Sequence, residues 1–376
     1  MSKKILSISM VKNEADVIES FVRYNINIFD GMIILNNGST DDTLKILKQL
    51  QKEGLSLIIL EDKDRKYNLA DKMNMLLKKA VNELDADIIV PLDADEFLIT
   101  TAGGNPRIIL ESMGTETYYL AMWKTYIPDF VENKDEKFIP SRMTAVRADK
   151  LENFYKAIFP KELVENYNVE LTFGNHDLSY ESKYKSAIKK INNNDLRIAH
   201  FPIRSKDQTI SKITVGWIYS LYLHNFREGQ NFHWKNIFDK LKENEEITDE
   251  DVINFAKQFA LQNEIADIII KEDAMDLSFC KNINVKYTPD KINPISNLLE
   301  ACEWLAKDSS DLRKKSFENE RKLKERIDKL SIELNNLRSQ NRSKEKKFKS
   351  KINEYENSTS WSITAPLRKF SRILRR

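Results

Sequence analysis

Val90-Pro91-Leu92-Asp93-Ala94-Asp95-Glu96-Phe97-Leu98 joins an apolar run at 87–92 to three acids within four residues. Upstream of it an apolar run and a helical segment alternate three times. The run at 5–10 is followed by 14–28, where Val17, Phe21, Tyr24 and Ile28 stand at helical spacing. A second run at 32–35 ends in Asn36-Asn37-Gly38-Ser39, and Thr40-Asp41-Asp42 then starts a helix with Leu44, Leu47 and Leu50 on one face. The third run is 55–60 and the third helix 68–84. Strands alternating with helices of this length predict parallel pairing through right-handed crossovers. Near-continuous apolar strands predict a sheet covered on both faces. The expected fold class is α/β, with a Rossmann-like, mostly parallel sheet.

Outward from this core the pattern changes. From about residue 115 it predicts mixed strands at 118–123, 144–147 and 196–201. Residues 206–305 read as mostly helical, with an aromatic cluster of Trp217, Tyr219, Tyr222, Phe226, Phe232 and Trp234. In the Lys-, Glu-, Arg- and Asn-rich stretch 309–357, Leu323, Ile327, Leu330, Leu334 and Leu337 follow coiled-coil spacing. Asn341 continues that register, which breaks at Lys344. Near the end, Thr364 is placed to cap a helix with Pro366 in its first turn. Leu367, Phe370 and Leu374 would share one face of it, the profile of an interfacial helix. The expected organisation is a catalytic domain over 1–220, a helical extension over 221–308, a coiled coil or linker over 309–357 and a basic amphipathic tail over 358–376.

Composition narrows the function classes. The 376 residues are 41% hydrophobic and 31% charged, enough for a packed core and against wholesale disorder. The net charge of +2 hides a basic end: Arg368, Lys369, Arg372, Arg375 and Arg376 follow the last acid, Glu356. Such an end suits an anionic surface. Cys280 and Cys302 stand in no CxxC or Cys/His pattern, which argues against zinc and against a disulfide framework and fits a reducing compartment. The first apolar run is too short for a secretory signal, and no stretch nears the ~20 apolar residues of a spanning helix. The expected location is cytoplasmic, peripheral at the inner face of the membrane.

Ligands of open parallel sheets bind beyond the carboxyl ends of the strands. Three acids crowded there repel one another unless a cation offsets them. Asp93 and Asp95, two apart, suit Mg²⁺ or Mn²⁺, which in turn would neutralise a pyrophosphate. The Asn36–Asp42 loop places short polar side chains at another strand's end, where they can reach a base or ribose or simply close a turn. Arg204 and Lys212 are candidate pyrophosphate contacts, since charge-assisted bonds to phosphate suit them. Of the four histidines, His200 ends an apolar strand, whereas His224 and His233 stand among aromatics and read as structural.

Val11-Lys12-Asn13-Glu14, Asn36-Asn37-Gly38-Ser39-Thr40-Asp41-Asp42 and Leu92-Asp93-Ala94-Asp95-Glu96-Phe97-Leu98, in this order, resemble family-2 type glycosyltransferases of the GT-A fold. The nearest likeness is to a branch with a VKNE start and a DADEF motif. It continues through 156–160 (KAIFP), Gly174-Asn175-His176 and 200–205 (HFPIRS), covering roughly residues 3–220. The resemblance implies an inverting transfer from a nucleotide sugar to a glycan or lipid-linked acceptor, with a divalent metal as cofactor. By the same resemblance Asp95 is the principal metal ligand and Asp93 contacts ribose or metal. Val11, Glu14 and Asn37 line the nucleotide pocket, and His200 is a third metal ligand with His176 its rival. Asp177, Glu170 and His176 are the candidate bases. Many relatives have Asp-Asp-Gly-Ser where this chain has Asn36-Asn37-Gly38-Ser39, which leaves the nucleobase open.

Other classes fit less well. Haloacid dehalogenase-type phosphatases carry Asp-x-Asp at the first strand, not the fourth. A dinucleotide oxidoreductase needs G-x-G-x-x-G after strand one, and residues 10–15 contain no glycine. A sugar nucleotidyltransferase shares the sheet but needs a Gly-rich basic loop where only Lys12 stands. A catalytically degenerate scaffold, held at a membrane by coil and tail, is the non-enzyme alternative.

Overall fold

The structure is a computed structural model that describes residues 2–62, 69–130, 135–147, 154–222, 232–261, 265–281 and 283–373. Asn68, His224, Phe226, Leu374, Arg375 and Arg376 lie outside the described residues, as do the side chains of Phe232, His233 and Arg372. The chain divides into two compact units, residues 1–302 and 303–376.

In the first unit β1 (Ile5–Val11), β2 (Gly31–Asn36), β3 (Leu57–Glu61) and β4 (Ile88–Pro91) lie in the order β3-β2-β1-β4, all parallel. The period of two along each strand sends alternate residues to opposite faces. Ile5, Ile34, Ile88 and Val90 pack with α1 (Ile18–Asn25) and α2 (Thr43–Lys52). Leu6, Ile8, Ile33 and Ile89 pack instead with α3 (Leu69–Asn82). On α2 the buried face is Thr43, Ile46, Leu47 and Leu50, with Leu44 only half-buried. Because α1 and α2 advance the sheet one way and α3 returns it past β1, the direction of winding reverses between β1 and β4. The loops leaving those two strands therefore splay apart into a crevice.

Beyond β4 the chain adds strands mainly antiparallel. They are β5 (Glu96–Thr100), β6 (Thr117–Ile127), β7 (Ala145–Arg147), β8 (Tyr155–Pro160), the short pair β9 (Glu170–Leu171) and β10 (Leu178–Ser179), and β11 (Lys189–His200). Short helices α4 (Arg107–Glu111), α5 (Ile139–Arg142) and α6 (Lys161–Tyr167) intervene. β8 pairs antiparallel with both β4 and β6, in a register (Ile88 with Pro160, Ile89 with Phe159) that carries Lys156 toward the end of β4. β11 runs antiparallel to β5 and parallel to β6, setting His200 beside Glu96 and Thr125.

α7 (Lys206–Tyr222), α8 (Phe232–Lys242) and α9 (Asp249–Gln258) enclose a smaller core of Ile203, Ile213, Ile237, Val252 and Phe255. A reciprocal capping box between Thr248 and Asp251 starts α9. The expected helical character stops there. The described residues between α9 and α10 (Pro294–Glu356) are irregular apart from β12 (Ile270–Glu272), which pairs with β7. The cause is a competing acceptor. Glu19 of α1, fully buried, accepts the backbone N–H groups of Lys286, Tyr287 and Thr288 at 2.8, 2.6 and 2.9 Å. Pro289 further biases Thr288 away from helical backbone. In the second unit α10 continues, followed by α11 (Thr359–Ile363) and α12 (Ala365–Ile373).

Glu19→Ala should lower stability by about 3–5 kcal/mol, since it orphans three backbone donors and a buried Arg23 contact. Urea unfolding checks this, and Glu19→Gln, which keeps an acceptor oxygen, should lose markedly less.

Candidate active site

The crevice between β1 and β4 receives the turn Asp93-Ala94-Asp95. Its acids face two separate sets of cations. Asp93 Oδ2 accepts from Lys156 Nζ at 2.6 Å, and the same ammonium lies 3.2 Å from Glu96 Oε2. Lys156 and Glu96 are fully buried. Glu96 also accepts from Trp123 Nε1 at 2.8 Å and from the Asp93 backbone N–H at 2.9 Å, which fixes the turn. Burial pushes the Glu96 carboxyl above the usual range, with Lys156 pulling the other way. Burial disfavours charge on Lys156 too, but Asp93 and Glu96 outweigh it and hold the ammonium protonated. The third Lys156 contact, to Gly174 O at 3.0 Å, ties the turn 173–176 to the same point.

Asp95 turns to the other set. Its Oδ2 lies 3.4 Å from Lys212 Nζ, 3.7 Å from Arg204 Nη1 and 3.8 Å from His200 Nε2. Burial would raise Asp95, but Lys212, His200 and Arg204 hold it down at about 2. His200 is buried and pushed down to about 3, so its imidazole is neutral, and no described residue bonds its Nδ1. Arg204 is buried with its fork committed. Nε donates to Asp16 at 2.7 Å, Nη2 to Glu14 at 2.8 Å and Asp16 at 2.9 Å, and Nη1 to Phe201 O at 3.0 Å. Burial pushes the Glu14 carboxyl up to about 8 against the pull of Arg204. Lys212 is the more accessible cation, resting on Pro202 O at 2.9 Å and 5.0 Å over the Phe259 ring.

The loop after β2 locks onto the loop after β1. Ser39 Oγ accepts from Asn13 N, Thr43 Oγ1 from Glu14 N and Asp41 Oδ2 from Ala15 N. Asn13 adopts a positive φ of 55° to make this turn. Val11 is buried at the end of β1, and its carbonyl accepts from Asn37 N at 2.9 Å. Asn37 Oδ1 accepts from Lys72 at 2.7 Å, while its Nδ2 is buried with no bonded partner among the described residues. A cavity of about 560 Å³ opens beside these loops, bounded by Lys12, Glu14, Arg204, Lys212, Tyr219 and Asn297. Asn297, in the first turn of α10, receives the Asn13 amide at 3.3 Å and donates to Ser211 at 2.9 Å.

Residues 8–101 match glycosyl transferase family 2. That stretch, which runs from β1 through the 93–96 turn to the start of the loop after β5, is what the chain shares with the family. No curated protein matches the chain. Among solved structures it is similar to a mannosyltransferase from Pyrobaculum calidifontis in complex with GDP-Man and Mn2+, at 13% identity over 68% of this chain and 73% of that one, TM-score 0.34. It is also similar to the glucosyl-3-phosphoglycerate synthase of Mycobacterium tuberculosis in complex with Mn2+, UDP and glucosyl-3-phosphoglycerate, at 18% identity, 32% of this chain and 44% of that one, TM-score 0.22.

The fold brings Glu14, Asp95, His200, Arg204 and Lys212 into one cluster, with Asp93 adjacent on Lys156. His176 has Lys156 and Asp93 as electrostatic neighbours and bonds Tyr155 O through Nδ1 at 2.7 Å. Asp177 is tied elsewhere, to Tyr118 at 2.8 Å and to Lys190, and Glu170 is exposed on β9. Among the described residues no three His, Cys, Asp or Glu side chains form a ready-made metal cage. The sequence shows Glu96 among the three acids and Lys156 within the 156–160 motif without assigning either a role, and it does not single out Asp16 or Asn297. A lysine inside the apolar strand Tyr155-Lys156-Ala157-Ile158-Phe159 was the available signal, because a buried ammonium requires buried acids.

Neutral His200 makes stability pH-dependent. Its folded value lies below the ordinary 6.5, so the unfolded chain takes up the proton first. The contribution is intact above pH 6.5 and is lost as pH falls toward 3, by about 1.4 kcal/mol per pH unit. Urea unfolding at pH 7, 6 and 5 should show His200→Gln losing less stability on acidification than the unaltered protein.

Proposed function

We propose that the chain is a glycosyltransferase that takes a sugar from a nucleotide-sugar donor and passes it, with inversion, to a glycan or lipid-linked acceptor in surface polysaccharide or glycoconjugate synthesis. The observation that carries the reading is the charged cluster at the winding reversal, where Glu14, Arg204 and Lys212 also line a cavity of about 560 Å³. That volume suits a ligand of nucleotide-sugar size. Lys212, the accessible cation, is the phosphate contact in this reading. Arg204, committed to Glu14 and Asp16, shapes the nucleotide loop.

A divalent ion fits the donor set on one side. Asp95 supplies an anionic oxygen and His200 a neutral imidazole nitrogen, 3.8 Å apart. Ions of this kind take one or two protein ligands and complete their shell with substrate phosphates and water, so a full protein cage is not required. Asp93 would join only by exchanging Lys156. Held by Asp95 and His200, such an ion would supply Lewis-acid stabilisation of the nucleoside diphosphate leaving group. The chain's own part is to hold the donor in line with the acceptor hydroxyl and to accept the acceptor's proton. Among the candidate bases His176 fits best: burial lowers its affinity for a resting proton, and it stands beside the Asp93–Lys156 pair. Asp177 is already committed to three donors, Tyr118, Lys190 and the Leu178 backbone N–H.

Asp95→Asn is nearly isosteric and should keep the fold yet lower turnover roughly a hundred-fold or more. Nucleotide release from UDP-, GDP- and CMP-sugars, with and without Mn²⁺, reads this out. Unaltered turnover in Asp95→Asn ends the donor-site assignment, and no release from any donor by the unaltered protein favours the scaffold reading.

The tail is proposed as a membrane address. Leu367 and Phe370 of α12 are exposed, and Arg368 sits 3.6 Å over the Trp361 ring. Among the described residues no helix is long and apolar enough to cross a membrane. Each basic residue adds roughly 1 kcal/mol near an anionic leaflet. Deleting 358–376 should release the protein from anionic liposomes while activity on a soluble acceptor analogue persists. Continued co-sedimentation would overturn the address.

A further inference from the structure

We infer that residues 323–341 of α10 form a parallel, two-stranded coiled coil with a second copy of this chain, its register set by Asn341. The helix is continuous over Pro294–Glu356. Leu323, Ile327, Leu330, Leu334 and Leu337 all lie on one seam of it and remain 49–61% exposed. Spacings of four and three place Leu323, Leu330 and Leu337 at d positions and Ile327, Leu334 and Asn341 at a positions. Leucine throughout d, with Ile327 at a, favours two strands over three or four. A single asparagine at a is the feature that pins register and strand number, because its amide is satisfied only by the matching amide of an in-register partner.

The flanking charges select the occupant and its direction. In a parallel pair, g of one heptad meets e of the next on the other chain, which sets Glu333 against Arg338. The ion pairs within this stretch of one chain, Arg321–Glu325 and Lys324–Glu320, do not involve those two residues. An antiparallel pair would instead oppose e to e, bringing Lys324 toward Arg338. Lys344 at the next d position ends the seam. Parallel pairing also gathers the two α12 tails at one end of the coil, so two weak interfacial helices would act on one surface.

The test uses the full chain with Cys280→Ser and Cys302→Ser, and light scattering after gel filtration at micromolar concentration. Twice the 44.0 kDa chain mass is expected. Leu330→Asp with Leu334→Asp should halve it, while Lys329→Asp, off the seam, should leave it unchanged. Adding Leu337→Cys should give an oxidised dimer crosslink, since identical d positions meet only in a parallel, in-register pair. Asn341→Ile should shift the mass upward toward larger assemblies. A monomeric unaltered chain, a dimer that survives both aspartates, or a dimer that does not crosslink at 337 each overturns the proposal. Should the aspartate variant fail to fold, the Leu337→Cys crosslink alone decides.

Discussion

Acidic charge gathered at one edge of a parallel sheet must be matched inside the protein, and the arrangement of this chain follows from that constraint. Asp93, Asp95 and Glu96 leave β4 together, and Glu14 and Asp16 leave β1 next to them. Unmatched, such a group would open the crevice by repulsion and desolvation. The matching cations come from later in the chain. β8 inserts between β4 and β6 and delivers Lys156, fully buried, to Asp93 and Glu96. The end of β11 and the start of α7 deliver His200, Arg204 and Lys212 to Asp95. The antiparallel half thus supplies counter-charge to the parallel half.

The match is specific in how it is distributed. Lys156 and Arg204 are buried and saturated by contacts, so they fix geometry. Lys212 is more accessible and makes a longer contact of 3.4 Å to Asp95. An incoming anion therefore competes most easily for Lys212. Sequence reasoning expected an external divalent ion to offset the acids; the structure supplies protein cations at the same place. Any added ion would work alongside them, at Asp95 and His200, where a neutral imidazole nitrogen adjoins a carboxylate.

How much of this is legible in the sequence depends on the range of the interaction. The four parallel strands and three helices follow from local periodicity; strand ends shift by no more than two residues, whereas α1 occupies only Ile18–Asn25 of the expected 14–28 and α2 starts at Thr43. The acids at 93–96 announce a charged crevice because three of them interrupt an apolar context. Of their partners, His200, Arg204 and Lys212 stand out in the sequence as candidate ligands, whereas Lys156 does not show which acids it serves. Lys156 sits in a run otherwise fit for a strand, and only the antiparallel register with β4 shows which acids it meets. Likewise nothing near 286–288 reveals that Glu19, far away in sequence, takes three of its backbone donors and denies that segment a helix. Composition there is compatible with either state, and a tertiary contact decides.

The second unit obeys a different balance. Its part of α10 is exposed throughout 310–356 and buries no core of its own. Pairs such as Lys307–Glu303 and Arg321–Glu325 contribute only a few tenths of a kcal/mol each. Long helices in proteins owe most of their stability to packing of an apolar face. Here that face exists as a single narrow stripe of leucine and isoleucine, too narrow for burial against a sheet and of the width that a coiled-coil partner covers. The first unit closes its charges internally and the second leaves its apolar stripe open. The proposed pairing with a second copy is what would cover that stripe.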